Sequence, residues 1–364
     1  MAVVKGGVMR NHRVLVAVVL ILLMIVPMLA GCGGGAKDES VKVAVLYVGD
    51  MEENGWSYQG HIGAQAMAGV LQYVQLSETD NVSAGDAVAV MSEYADEGYD
   101  IIFCHSYDYG AAIGEVAPDY PDVIFMWCTG DNAMYDNVGI YDGRIYEPRY
   151  LAGMTAGNMT ESDKIGFVAA VPLAQVIMGI NAFARGVAVE NPDAEVYVEW
   201  TNVWYNLGLE EGLAQSLVDD GCDVIVNHTD SCVLGQVADE NGVYYMSLSA
   251  DCGQEAPLSF LTAAYYDWEP VMTDVVKAVH DGMWEQRPGH DWWYSMEQGG
   301  VRLSLLSDLA PEALGIRIDE KGKEIESGGL EVFPNMIDSE LRNMNYLEPN
   351  VVGQIPQQPV EDSE

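Results

Sequence analysis

Positive charge is what this chain has least of: 16 Lys and Arg stand against 56 Asp and Glu in 364 residues, a formal net charge of −40. A surface that negative repels phosphate backbones, which excludes sequence-independent binding to DNA or RNA. Cysteine is scarce too, six in all, and none forms a Cys-x-x-Cys or Cys/His cluster with zinc spacing, so no metal site is expected. There is no Gly-x-Gly-x-x-Gly opening a helix after a strand, no P-loop and no Gly-x-Ser-x-Gly elbow, so no nucleotide cofactor or serine-hydrolase chemistry is expected. His228, Asp230 and Ser231 crowd one short stretch, too close together to converge as base, orienter and nucleophile. No carboxylate pair is placed for acid/base work, and the chain reads as a binder with no catalytic residue and no cofactor.

Apolar material is plentiful. Hydrophobic residues make up 49% of the chain, with eight Trp, twenty Tyr and six Phe, which excludes an acidic disordered polymer. The length fits two domains of ordinary size.

The first 31 residues differ physically from the rest. Lys5, Arg10 and Arg13 precede an uncharged apolar run from Val14 to Ala30, which ends in Leu29-Ala30-Gly31-Cys32. Positive flank, short apolar segment and small-residue ending read as an export signal. The run is also just long enough to be retained as an anchor. The ending resembles a lipobox, which makes Cys32 a candidate lipid-attachment residue. In either case the body sits on the extracytoplasmic side. Gly33 to Ser40 reads as a tether, and Glu348 to Glu364, with three prolines and no hydrophobic period, as a disordered tail. Cys104 and Cys128 each end an apolar run, as neighbours that could pair or, more simply, as small buried thiols.

From Val41 to about Leu248 short apolar runs alternate with helical patterns. The runs are 43–48, 100–104, 123–127, 164–169, 195–200, 223–227 and 242–247, near-continuously apolar as in parallel strands buried on both faces. Helical periodicity covers 55–74, 85–97, 146–159, 173–190 and 207–219. This alternation predicts an α/β fold of doubly wound parallel sheets. It also repeats: Glu97-Gly98-Tyr99-Asp100-Ile101-Ile102-Phe103 matches Asp220-Gly221-Cys222-Asp223-Val224-Ile225-Val226. Two similar lobes follow, with their strand tips facing one crevice.

Those tips carry aromatics: Trp56 and Tyr58 after the first run, Tyr107 and Tyr109 after the second, Trp204 and Tyr205 after the run ending at Trp200. Any one of them is ordinary packing material. Together with Asp230 and Asp251, they suggest a slot for a flat ligand with hydrogen-bonding edges. The tips lack Lys and Arg, so a phosphorylated or carboxylate ligand is disfavoured and a neutral or cationic one expected.

Gly55-Trp56-Ser57-Tyr58, Ala117-x-x-Tyr120-Pro121-Asp122-Val123, Tyr146-Glu147-x-Arg149-Tyr150-Leu151-Ala152-Gly153, Gly179-Ile180-Asn181-Ala182-Phe183, His228-Thr229-Asp230-Ser231 and Gly282-x-Trp284 occur in this order. In order and spacing they resemble the basic membrane protein family, the purine-nucleoside-receptor-like lipoproteins of ABC importers, over about residues 41–335. The resemblance implies a type I periplasmic-binding-protein fold: two α/β lobes, a three-crossing hinge and a ligand clamped between. It implies lobe 1 at 41–145 plus about 262–290 and lobe 2 at 146–255 plus about 300–335. With the signal peptide at 1–31, the tether at 32–40 and the tail at 348–364, this completes the expected division.

By the same resemblance Trp56 stacks on a purine, Phe183 presses from the other lobe and Asp251 takes ribose hydroxyls or base N–H groups. Asn54, Tyr58, Ser106, Asn181, Trp204 and Asp230 complete the expected ligand-binding set. One departure is the stretch 261–268, which offers Asp267-Trp268 where nucleoside binders often have a lysine; it favours a free base such as adenine. The function implied is a lipid-anchored receptor handing a purine base or nucleoside to ABC permease subunits. Alternatives are a sensor of the same fold for another small solute and an exported nucleoside hydrolase. Arg144, Arg149 and Arg185 are expected to fix hinge or helix rather than touch ligand, with Glu147 a candidate partner. Asn81, Asn158 and Asn227 open glycosylation sequons, of which Asn227 would face the crevice.

Overall fold

A computed structural model of the chain describes residues 40–52 and 55–357, apart from the side chains of Ala250, Asp251 and Pro288. The export signal, Cys32, nearly all of the tether, Asn54, the Asp251 carboxyl and residues 358–364 therefore lie outside the described residues.

The first stretch runs β1 (Val41–Tyr47), α1 (Trp56–Val70), β2 (Val74–Thr79), α2 (Ala87–Asp96), β3 (Ile101–His105), α3 (Gly110–Val116), β4 (Ile124–Cys128) and β5 (Val138–Gly143). A second series follows: α4 (Tyr146–Met159), β6 (Lys164–Ala169), α5 (Ala174–Glu190), β7 (Glu195–Trp200), α6 (Leu207–Asp219), β8 (Val224–His228), α7 (Val233–Asn241), β9 (Tyr244–Ser247) and β10 (Phe260–Tyr266). The chain closes with α8 (Glu269–His280), β11 (Asp291–Tyr294), β12 (Val301–Leu303), α9 (Glu312–Glu326), α10 (Asp338–Leu341) and β13 (Val351–Val352). Every apolar run expected as a strand is one. The helices at 146–159 and 207–219 match their patterns end to end.

Among the described residues the strands form two sheets, β11-β5-β4-β3-β1-β2 and β12-β10-β9-β8-β6-β7-β13. All pairs are parallel except β10 with β12. The cores of the two sheets are thus the same fold written twice, β2-β1-β3-β4-β5 and β7-β6-β8-β9-β10. The sequence repeat is a structural repeat. Gly98 and Gly221 leave the preceding helices at φ of 74° and 94°, a left-handed turn that favours glycine. In each lobe a lysine of the neighbouring strand then reaches the freed carbonyls: Lys42 Nζ donates to Glu97 O at 3.0 Å and Lys164 Nζ to Asp220 O at 2.9 Å. A cation there also complements the negative helix end.

The chain passes between sheets three times, after β5, after β10 and between β11 and β12, which gives the expected hinge. Two boundaries differ from expectation. Residues 262–266 pair in the second sheet, not the first, because the buried run Leu261–Ala264 continues β9 before the chain crosses. The first lobe is re-entered at α8 and left after Tyr294.

The tail expectation is also corrected for residues 348–357. Val351 and Val352 pair in parallel with Val196 and Tyr197 of β7. Asn350 Nδ2 donates to Ala184 O at 2.9 Å, and Glu348 accepts from Arg185 Nε at 2.8 Å. This segment covers an otherwise open sheet edge.

Arg144, Arg149 and Arg185 all tie elements together, Arg185 through Glu348 and the Val332 carbonyl. Arg144 grips Asp338 with two bonds of 2.9 and 2.7 Å. Arg342 holds Asp291 at 2.9 Å, and both guanidinium groups lie over the Trp293 ring, 4.1 and 4.3 Å from its centre. The 338–342 turn is thereby strapped to the edge of the first sheet. Arg149 is fully buried and donates Nη2 to Asn227 O at 2.7 Å. Glu147 pairs with none of them by hydrogen bond: its carboxylate accepts from Met296 N at 2.7 Å. Cys104 and Cys128 are separate buried thiols, and the disulfide joins Cys232 to Cys252.

Candidate functional site

In open parallel sheets the crevice lies beyond the carboxyl ends of the strands, where strand order reverses. Here that point is between β1 and β3 in one lobe and between β6 and β8 in the other. The tips at both points line one narrow slot. The first lobe contributes Val48, Trp56, Ser106, Tyr107 and Thr129; the second contributes Gln175, Trp204, His228, Asp230, Leu248 and Tyr266. A wider cleft shares the walls Tyr107, Thr129 and Gln175 and continues past Asp142, Trp293 and Arg342.

Trp56 sits at the start of α1, where the chain turns from β1 into the helix. Its indole N–H donates to His105 O at 2.9 Å, and the ring stacks on the His105 imidazole, 5.0 Å between centres at 26°. Tyr266 and Trp268 meet the indole edge-on at 5.3 and 5.4 Å and stack on each other at 4.7 Å. His105 is held by the Tyr141 hydroxyl at 2.7 Å, and burial pushes its pKa down to about 3, so it stays neutral. These contacts fix the Trp56 plane as a slot wall.

Ser106 caps the short 3₁₀ turn Tyr107–Tyr109, its Oγ accepting from Asp108 N at 3.2 Å. Trp204 reaches from the second lobe toward the Asp108 carboxyl group, whose proton affinity burial raises and the indole lowers. Gly55 also approaches that lobe so closely that a Cβ there would lie 2.5 Å from the Asp230 carbonyl oxygen. The lobes thus meet at the slot mouth.

Glu210 organises the β8 tip. It is fully buried, takes hydrogen bonds from the Thr229 and Ser231 hydroxyls, and accepts from Asn206 N at 2.9 Å. Ser231 is therefore committed to Glu210 and not to His228, which burial and nearby Arg149 keep neutral. Asn227 is buried, its amide donating to Thr229 O and Ser231 O at 3.1 and 2.9 Å, so no glycan can be carried there. Among the described residues no cluster of three or more His, Cys, Asp or Glu is placed to hold a metal.

Of the expected ligand-binding residues, Trp56, Ser106, Trp204 and Asp230 line the slot. Tyr58 lies beside it, in a separate hollow with Gln59, Ile62 and Trp268. Two expectations are corrected. Asn181 is fully buried and ties down the last segment, donating to Tyr346 O at 2.8 Å and accepting from Glu348 N at 2.9 Å. Phe183 is fully buried in the second lobe's core, edge-on to Phe167 at 5.6 Å. Tyr266, Thr129, Gln175 and Leu248 were not anticipated; the one available signal was Tyr265-Tyr266-Asp267-Trp268 at the end of an apolar run.

A family model described as "ABC transporter substrate-binding protein PnrA-like" matches residues 40–333. A protein of Haloferax volcanii carrying the name of a putative ABC transporter glucose-binding protein is 35% identical over 73% of this chain and 67% of its own length. A protein of Brucella abortus named a purine-binding protein is 32% identical over 92% of this chain and 100% of its own length. Among solved structures, an ABC transporter solute-binding protein from Conexibacter woesei superposes with a TM-score of 0.66 at 24% identity, covering 81% of this chain and 99% of its own. One from Aeropyrum pernix gives 0.66 at 20% identity, covering 83% and 98%.

Proposed function

The chain belongs to the PnrA-like substrate-binding proteins of ABC transporters, and we propose that it is the lipid-anchored receptor of an importer, holding a purine base or purine nucleoside in the slot. The observation that carries this reading is the wall of the slot. Trp56, Tyr107, Trp204 and Tyr266 supply aromatic surface, Asp230 supplies a carboxyl, and no Lys or Arg is among the lining residues. Such a wall suits a flat, uncharged heterocycle and disfavours a phosphate. The relative named a purine-binding protein supports the same ligand class. The cleft that shares three walls with the slot leaves room for a sugar on the base.

Solute-binding proteins of this family work outside the cytoplasm. The Cys232–Cys252 disulfide suits an oxidising compartment, and the lipobox-like ending at Cys32 suits a tether. Among the described residues no helix is long and apolar enough to cross a membrane. Ligand bridging the lobes favours the closed form, in which Gly55 meets Asp230 and Trp204 meets Asp108, and that form is what the permease would receive.

A sugar is the second reading, because one relative is named for glucose and aromatic faces also stack on pyranose rings. Mass spectrometry of co-purified ligand and a thermal-shift panel of adenine, guanine, adenosine and glucose separate the two. A shift with at least one purine and none with glucose is expected, growing with ligand excess over Kd. A glucose shift with no purine shift overturns the proposal.

A further inference from the structure

Asp230 is the odd member of the slot. Three carboxyl groups meet near the β8 tip: Glu210 is fully partnered by Thr229, Ser231 and Asn206, and Asp108 lies near Trp204. The Asp230 backbone N–H donates to Trp204 O at 3.0 Å, but no described side chain hydrogen-bonds its carboxyl group, which lines the slot. The groups facing it are Asp108 from the turn after β3, Glu210 from α6, Tyr266 from β10 and neutral His228 on β8 itself. None of these supplies a positive charge. A carboxylate here would be half-desolvated beside two other acids, without a counter-ion.

Building on the purine reading, we propose that Asp230 reads the ligand as a neutral carboxylic acid, donating its O–H to a ring nitrogen and accepting from the amino group beside it. A protonated acid presents one donor next to one acceptor, whereas a carboxylate presents acceptors only. An adenine-type edge, with a ring nitrogen acceptor beside an exocyclic amino donor, is the complement of the first and not of the second. Burial, with Glu210 and Asp108 close by, pushes the Asp230 pKa up to about 8, so the acid keeps its proton at neutral pH. Above that value the free protein must first take one proton from water to bind such an edge, and affinity falls.

The test is titration calorimetry of the full, ligand-free chain with adenine at pH 7 and pH 9. The expected result is affinity about tenfold weaker at pH 9, with proton uptake at the higher pH seen by comparing buffers of different ionisation enthalpy. Asp230→Asn keeps one donor and one acceptor but cannot ionise; it should bind adenine within about threefold of wild type at pH 7 and lose most of the fall to pH 9. Asp230→Leu should bind at least roughly tenfold more weakly at both. Asp142 in the adjoining cleft is pushed up to about 7 and also titrates, so flattening by Asp230→Asn decides the source. Wild-type affinity that is level or rises toward pH 9 overturns the proposal, and so does an Asn variant as weak as Leu. Those outcomes leave purine binding intact; no adenine binding at any pH overturns both readings together.

Discussion

Trp56 and Phe183 were expected to face each other across a ligand, and the structure puts them to different uses. Trp56 follows a strand tip, where a parallel sheet must place its crevice, so its place on the slot wall was legible from position alone. Phe183 lies in α5, where every residue from Val176 to Ala184 is buried. A helix apolar all round carries no facing signal, so neither Phe183 nor Asn181 could be assigned from the sequence. Paired substitutions separate the roles. Trp56→Ala should weaken ligand binding by at least roughly tenfold, the loss of one good stacking contact. Phe183→Ala should instead cost about 3–5 kcal/mol of stability through a core cavity and leave the affinity of the folded protein within about twofold. Scanning calorimetry and binding calorimetry on both variants check this; equal losses of affinity would return Phe183 to the site.

At the scale of elements, what was legible in the sequence was mostly the near-continuous apolar stretch. β1, β3, β4, β6 and β8 are each built around a short apolar stretch that reads as a strand. β2 has no fully buried residue, and β5 carries Gly and Asp among its six residues; neither pattern stands out as a strand. β10 was not expected as a strand, and residues from about 262 were placed in the first lobe, because an apolar run gives no sign of which lobe's sheet it joins. Closure depends on another element junction, Gly55 at the head of α1. It sits at φ 147°, with the Asp230 carbonyl of the opposite lobe 2.5 Å from where a Cβ would be. That neighbour is backbone and cannot swing aside, so Gly55→Ala should penalise the closed form specifically. Ligand affinity should fall at least roughly tenfold while the ligand-free Tm moves by only a few degrees. Solution scattering should then show ligand no longer compacting the protein. Unchanged affinity and compaction would mean the lobes bind ligand without this contact.

Over the whole molecule the scarcity of cations shapes stability rather than binding. With 56 acidic and 16 basic residues, most surface carboxylates have no cationic partner, and their mutual repulsion opposes the compact state. Salt shortens the reach of that repulsion, from about 10 Å at 0.1 M to about 3 Å at 1 M. The same screening weakens exposed pairs such as Arg302–Asp267 and Lys323–Asp319, but pairs of that kind contribute little. The ligand-free Tm should therefore rise between roughly 0.1 and 2 M KCl. Buried acids add a pH dependence that salt barely reaches. Asp142 and Glu147 are pushed up to about 7 by desolvation and Asp230 to about 8. Each binds its proton more tightly folded than unfolded, so its contribution is fullest below the unfolded carboxyl range, near pH 4, and is lost as pH rises through 7 to 8. Tm should accordingly be higher at pH 5.5 than at pH 8.5. The gap should narrow in 2 M KCl, where surface repulsion is screened, but not close, because the buried groups remain. A Tm that falls with salt would show that ion pairs outweigh repulsion; a pH gap that vanishes in 2 M KCl would show that the three buried acids do not carry it.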